Sequence, residues 1–325
     1  MTGRIVTNGP FQLAAWEPGR QMLLQRNPRY HGPFSGNLEQ VQLTLGAPSS
    51  AQVSLYTEGQ LDVASNWFGS DEEIAQLRHR FPAEYVRRTS FVTVYYFLDV
   101  TRPPFDDKAV RQALVMALDR RALAESVFHG SVTAATGGFV PPGMPGHLAG
   151  CALAHDPEEA RRLLAQSQMN AASPLTVLSY PRRERLARFL QETWQQNLGI
   201  EVHVKLVAPE EFWKQLARPG ANVPVGGWWA DYPDPDNFLR VDVALDLPQW
   251  RHEGYQALLE RAARITDQEE RLRLYQRAER ILAEEAVLVP LYYQPFHLML
   301  KPWVKRYPTA AVKNPGFWKD VVIEL

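Results

Sequence analysis

The stretch from Arg183 to Val207 constrains the fold more than any other part of the chain. Leu186, Phe189, Leu190, Trp194 and Leu198 fall on one face of a 3.6-residue period, and Gly199 stands where such a helix ends. Ile200, Val202, Val204 and Leu206 then alternate with Glu201, His203 and Lys205, the pattern of a strand with one wet face. The apolar strand candidate Leu175-Thr176-Val177-Leu178 precedes them, so the whole reads as a β-α-β unit. A chain built around such a unit belongs to the α/β or mixed α+β class.

The flanking sequence agrees. Phe11-Gln12-Leu13 and Gln21-Met22-Leu23-Leu24-Gln25 flank a Pro18-Gly19 turn signal, which predicts a hairpin. Val41 to Leu45 alternates as a half-buried strand, and a helix through Gln52 to Glu58 is stopped by Gly59 before a short strand at Leu61-Asp62-Val63. Phe91 to Leu98 is apolar on both faces and rich in β-branched and aromatic residues, which predicts a central strand covered on both sides. Asp106-Asp107 is placed to cap a helix bearing Val110, Ala113, Leu114, Ala117 and Leu118 on one face. Residues 136–146 hold too much Gly and Pro for regular structure and read as a crossing or rim loop. Leu272, Tyr275, Ala278, Ile281 and Leu282 mark a long amphipathic helix that runs into strand candidates at 287–289 and 296–300.

Composition excludes several functions. With 35 Lys and Arg against 36 Asp and Glu, the net charge of -1 gives no electrostatic reason to expect nucleic acid or an anionic membrane as partner. The arginines of 182–185 and 271–273 alternate with Glu or apolar residues and read as solvated helix faces. The single cysteine, Cys151, forbids an intrachain disulfide and has no evident activating base. No apolar stretch reaches membrane-spanning length, and the opening residues, Met1 to Asn8, lack the basic start and apolar run of a secretory signal. The eight histidines lack metal-ligand spacing, and neither a Gly-x-Ser-x-Gly nor a Gly-x-Gly-x-x-Gly element is present.

One segment combines residues that suit a binding site: Gly226-Gly227-Trp228-Trp229-Ala230-Asp231-Tyr232-Pro233-Asp234-Pro235-Asp236-Asn237-Phe238. It follows the apolar run Val223 to Val225 and so leaves the end of a strand, where ligand crevices form in α/β sheets. Aromatic walls there would exclude water, and a carboxylate would hold a cationic group more strongly than at an open surface. The competing readings are that one of Trp228 and Trp229 is core, and that Asp234 and Asp236 are turn and cap residues. A calcium loop is a third, but the spacing does not match the EF-hand pattern.

The ordered motifs resemble those of the family 5 extracellular solute-binding proteins, the peptide- and nickel-binding components of ABC importers. Thr7-Asn8-Gly9-Pro10-Phe11, Trp16-Glu17-Pro18-Gly19 and Arg26-Asn27-Pro28-Arg29-Tyr30 resemble the family's strand re-entering the first lobe. Gly59-Gln60-Leu61-Asp62-Val63 resembles its Gly-x-x-Asp element, and 104–114 with Ala117-Leu118-Asp119-Arg120 its most recognisable helix. Trp229 to Pro235 fits its ligand-site loop, and Phe317-Trp318-Lys319-Asp320 its closing strand.

The resemblance implies a two-lobed periplasmic-binding-protein-like fold that closes on its ligand by hinge bending. It implies that Asp231 pairs with the α-amino group of a bound oligopeptide, with Trp229, Trp228 and Tyr232 around it and Tyr95 and Tyr96 as further candidates on the central strand. Core packing is the alternative for those two tyrosines. Residues 1–105 and 301–325 are expected to form lobe I and residues 106–300 lobe II. Family members carry a further portion before the Asn-Gly-Pro-Phe motif, including an export signal, so the first lobe is expected to be incomplete here. The expected partners are a small-molecule ligand and the membrane subunits of an ABC transporter. No catalytic residue, cofactor or metal is expected, and no nucleic acid is expected to bind this chain alone. By resemblance the location is periplasmic, or extracellular and membrane-anchored; with no signal peptide in the sequence, it is expected to be cytoplasmic if this is the whole protein or part of a regulator. Two alternatives stand: the ligand-sensing domain of a cytoplasmic transcriptional regulator, and a hydrolase using the aspartates of the 231–236 loop.

Overall fold

A computed structural model describes residues 5–65, 71–169, 174–216, 222–240, 250–308 and 317–325. Met1 to Arg4 lie outside the described residues. The chain divides into two compact units, Met1–Thr89 with Phe296–Leu325, and Ser90–Pro295.

The smaller unit begins with strands β1 (Phe11–Glu17), β2 (Gln21–Arg26) and β3 (Gln40–Thr44), which form a three-stranded antiparallel sheet. The Pro18-Gly19 turn joins β1 to β2 as expected, with Gly19 at φ 74. Helix α1 (Ser49–Thr57), strand β4 (Val63–Ser65), helix α2 (Asp71–Arg80) and strand β5 (Tyr85–Arg88) follow. Fully buried Tyr56 packs with Ala64, Leu77 and Met299 in this unit's core.

The larger unit opens with β6 (Val92–Phe97), whose six residues are all buried. Helices α3 (Lys108–Met116), α4 (Arg120–Ser126) and α5 (Pro157–Gln166) surround the short strand β7 (Thr133–Ala134) in sequence. Asp107 caps α3 by accepting from the Ala109 amide, and Asp119 caps α4 in the same way. Then come β8 (Leu175–Ser179), α6 (Glu184–Leu198), β9 (Val202–Leu206), α7 (Pro209–Leu216), β10 (Asn222–Trp229), α8 (Asp236–Leu239), α9 (Glu253–Ala262), α10 (Gln268–Glu285) and β11 (Leu288–Tyr293). The sheet order is β7-β11-β6-β10-β8-β9. β8 and β9 are parallel across α6, which is the β-α-β unit, and Gly199 ends α6 in the left-handed region at φ 68. β10 pairs parallel with β8 through residues 222–224 and antiparallel with β6 through residues 225–229. It is therefore the strand at which the sheet changes direction.

The core of this unit joins Val94, Tyr96 and Leu98 of the β6 region to Leu114, Leu118, Leu190 and Trp194. Trp194 is fully buried, and its indole N–H donates to the Leu114 carbonyl at 2.9 Å, so burial leaves no donor unmet. The chain then re-enters the smaller unit with β12 (Phe296–Leu300), β13 (Val304–Lys305) and β14 (Val322–Ile323).

Two expectations are corrected. Apart from them, the compact units divide at 89/90 and 295/296, where the lobes expected from sequence divide near 105 and 300. The reason is pairing: β6 lies between β10 and β11, whereas β12 lies between β4 and β5. Gly226 to Trp229 continue β10 instead of forming loop, because they pair with Tyr95 to Val92. The Phe317–Asp320 segment is a 3-10 turn, with the closing strand starting at Val322.

Candidate functional site

β10 carries the site. Its pairing with β6 sets Trp228 opposite Thr93 and Trp229 opposite Val92, and the Ala230 amide donates to the Phe91 carbonyl at 2.9 Å. The chain then leaves the sheet at Asp231. Asn237, 1% exposed, fixes this departure. Its Oδ1 accepts from the Trp228 indole at 2.9 Å and from the Asp231 amide at 3.1 Å. Trp228 and Trp229 are half-buried, and Tyr232 is exposed.

The three carboxylates of the segment have different fates. Asp234 receives both terminal nitrogens of Arg271, at 2.7 and 2.8 Å, and also accepts from the Asp236 amide at 2.9 Å. Burial pushes the Asp234 carboxyl up, but the Arg271 guanidinium and the Asp236 amide outweigh it and hold the group below the usual carboxylate range. Asp236 accepts from Arg240 Nε at 3.0 Å and from the Tyr275 hydroxyl at 2.8 Å. Asp231 is exposed, and among the described residues its carboxylate has no hydrogen-bond or ion-pair partner. One acid of the three is thus left exposed to solvent. The Arg271 pairing also corrects the view of 271–273 as a purely solvated face. Arg183 likewise turns back over β10, donating to the Gly226 carbonyl at 3.1 Å, and is half-buried.

The tyrosines of β6 are packing residues. Tyr96 is fully buried, with its ring edge-on to Trp194 at 5.5 Å, which removes it from any surface a solute could touch. Tyr95, on the other face, is 3% exposed and stacks edge-on to Phe139 at 5.0 Å. Phe139 in turn meets Phe238 at 5.2 Å, so Tyr95 supports the segment from beneath and does not line it. Asn237 was not among the sequence candidates; its only signal was an amide side chain just after a Pro-Asp turn. Cys151 has its thiol pushed up to about 12, chiefly by burial, and is a poor nucleophile. Among the described residues no cluster of His, Cys, Asp or Glu could hold a metal ion, and no helix is long and apolar enough to cross a membrane.

Comparison with known proteins gives the lineage. The model of bacterial extracellular solute-binding proteins, family 5 Middle, matches residues 2–243. The periplasmic oligopeptide-binding protein OppA of Escherichia coli K12 is 30% identical over 323 residues, covering 94% of this chain and 58% of OppA. The probable deoxycholate-binding periplasmic protein YgiS of the same organism is 29% identical, covering 98% of this chain and 61% of YgiS. The periplasmic binding protein DppA from Helicobacter pylori, solved with the peptide STSA, superposes with a TM-score of 0.77 at 24% identity, over 98% of this chain and 63% of DppA. That likeness establishes the fold. The chain spans about three-fifths of the length of the curated relatives it matches. With the family model covering most of its length, the chain belongs to the bacterial extracellular solute-binding proteins of family 5.

Proposed function

We propose that this chain is the solute-binding part of an ABC importer, capturing short peptides outside the cytoplasmic membrane and releasing them unchanged. The observation that carries the reading is the contrast among three neighbouring carboxylates: Asp234 and Asp236 are neutralised within the fold, while Asp231 is exposed at the end of β10 and unpaired among the described residues. An ammonium group brought against Asp231 beside Trp229, with Trp228 and Tyr232 adjoining, would gain a charge-assisted hydrogen bond that strengthens as water is excluded. The names of the relatives point the same way, since OppA is an oligopeptide-binding protein and DppA was solved with a tetrapeptide. Binding without chemistry is supported by the same geometry. Of the three aspartates that a hydrolase would draw on, two are occupied by arginines, and burial pushes the thiol of Cys151 up to about 12.

Calorimetry with trialanine and N-acetyl-trialanine tests this. Free trialanine should bind, and either acetylation or Asp231→Ala should cost roughly 2–5 kcal/mol, the loss typical when one member of a desolvated charge pair is removed. The peptide should be recovered intact. Equal affinity for the free and acetylated peptides refutes the amine-anchor role.

A further inference from the structure

Helix α10 carries Arg271, Tyr275 and Glu279 at four-residue spacing, on one stripe of its surface. Arg271 and Tyr275 brace the segment after β10 through Asp234 and Asp236. Glu279 reaches a different loop. Its Oε1 accepts from the Val140 amide at 2.7 Å, it is 1% exposed, and its Oε2 is buried with no hydrogen-bond partner among the described residues. Gly138 lies so close, at φ 144, that a Cβ there would stand 2.5 Å from Oε1. With Arg120, Gly138, Phe139 and Leu282, Glu279 lines a partly open cavity of about 10 Å³, space for about one water.

The loop that Glu279 grips touches the candidate site at three points. The Phe139 carbonyl accepts from Thr93 Oγ1 at 2.8 Å, and Thr93 is the register partner of Trp228. The Phe139 ring meets Phe238, next to Asn237, at 5.2 Å. A Cβ on Gly146 would lie 3.3 Å from Pro235 Cγ, so that end of the loop lies close against the turn holding Asp234 and Asp236.

A carboxylate buried this deeply is costly to ionise, and burial favours the protonated form. Burial raises the Glu279 carboxyl to about 8, against the opposing pull of hydrogen bonds from the Val140 and Phe139 amides. The charged and titratable groups around it are accounted for. Arg120 donates to the Pro290 carbonyl at 2.7 Å and the Leu153 carbonyl at 3.2 Å. The Tyr293 hydroxyl is engaged with both backbone groups of Gly138. His147 Nδ1 sits 2.7 Å from the Val140 carbonyl. Cys151, and Arg280 on the same helix, lie in the neighbourhood.

We propose that Glu279 is a positioning residue of the solute site: it clamps the 137–147 loop against the segment presenting Asp231, and its ionisation loosens that segment and weakens capture. Although a carboxylate would accept from Val140 more strongly, a charge buried at that depth is relieved only by opening the loop to water. The inference rests on the binding role assigned to Asp231. Amide exchange on the ligand-free chain, corrected for intrinsic rates, reads the clamp directly. Between about pH 6.5 and about pH 9, one unit above the Glu279 midpoint, protection of the Val140 and Asp231 amides should fall roughly tenfold. Glu279→Gln keeps an acceptor for Val140 without titrating and should hold its protection at both pH values. Glu279→Met lacks the acceptor and should be poorly protected at both, and His147→Asn should respond to pH as the parent does. Trialanine affinity should fall further with pH in the parent than in Glu279→Gln, since loss of the peptide's own ammonium is common to both. Identical exchange profiles for parent and Glu279→Gln overturn the clamp. Failure of trialanine to bind either protein, with the exchange profiles as expected, overturns the solute reading and leaves the clamp supported.

Discussion

Asn237 meets two donors with one buried oxygen, and both donors belong to residues that set the site: the Trp228 indole and the Asp231 amide. Replacing it with Leu fills similar space but strands both N–H groups in a protein environment. The expected loss is about 1–3 kcal/mol of stability, the usual penalty for leaving buried donors unmet. Urea unfolding measures it, and a red shift in tryptophan emission should accompany it as Trp228 loses its tether. Unchanged stability and emission would show that water replaces the amide without cost. This residue marks where sequence reading stops. Asp231 stands out as a candidate because it sits in an ordered motif at a strand end, and the turn-like character of Asp234 and Asp236 is legible from their prolines. Asn237 is not, because its two contacts lie six and nine residues back and follow no helical or strand period. Tyr95 and Tyr96 fail for the opposite reason: an apolar strand advertises its aromatic residues equally, whether they line a pocket or fill a core.

At the scale of elements, local periodicity gives more than pairing does. The β-α-β unit, the all-buried β6 and the long helix α10 all follow from patterns within the chain segment itself. The extension of β10 through Gly226 to Trp229 does not, because two glycines and two tryptophans satisfy no strand pattern until β6 supplies the partner. Arg271 is a similar case, since its carboxylate lies 37 residues away in the chain. It joins α10 to the site segment with two parallel hydrogen bonds, and its guanidinium lies 4.8 Å from the Tyr275 ring. Arg271→Lys keeps the charge but loses the planar fork, so it should cost roughly 1–3 kcal/mol and behave more like Arg271→Ala than like the parent. The Asp234 carboxyl is lowered in the folded state, so its contribution is present above the ordinary carboxylate pKa and is lost as pH falls through the lowered value. Acid denaturation should therefore separate the variants at neutral pH and bring them together at the acid end. A constant gap across the whole range would assign the loss to packing and not to charge.

At the scale of the molecule, the two units differ in how well they are closed. The boundary near residue 90 was not legible from sequence, since a continuous apolar strand does not declare which sheet it joins. In the larger unit the sheet is covered on both faces, as the full burial of β6 shows. In the smaller unit, the sheet of β1, β2 and β3 has one face made of Leu13, Trp16, Met22, Leu24, Val41 and Leu43, aligned by the cross-strand register. The shift in register between Leu13 and Ala15 is what brings Leu13 and Trp16 to the same side, three residues apart. Of these six only Val41 is buried, and Trp16 is 51% exposed. The other face is mostly glutamine with Thr44, so the asymmetry is that of a sheet designed to be half covered. A contiguous apolar face left open in this way should bind an environment-sensitive dye such as anilinonaphthalene sulfonate in the native state. Trp16→Gln should remove much of that signal and lower any tendency to self-associate, while changing stability by no more than about 0.5 kcal/mol, as expected of an exposed position. Trp229→Gln, on the other unit, serves as the control and should leave the dye signal largely intact. If the Trp16 change leaves the dye signal as it was, the apolar face is covered in solution, and its exposed side chains are not where this chain's surface departs from that of a closed domain.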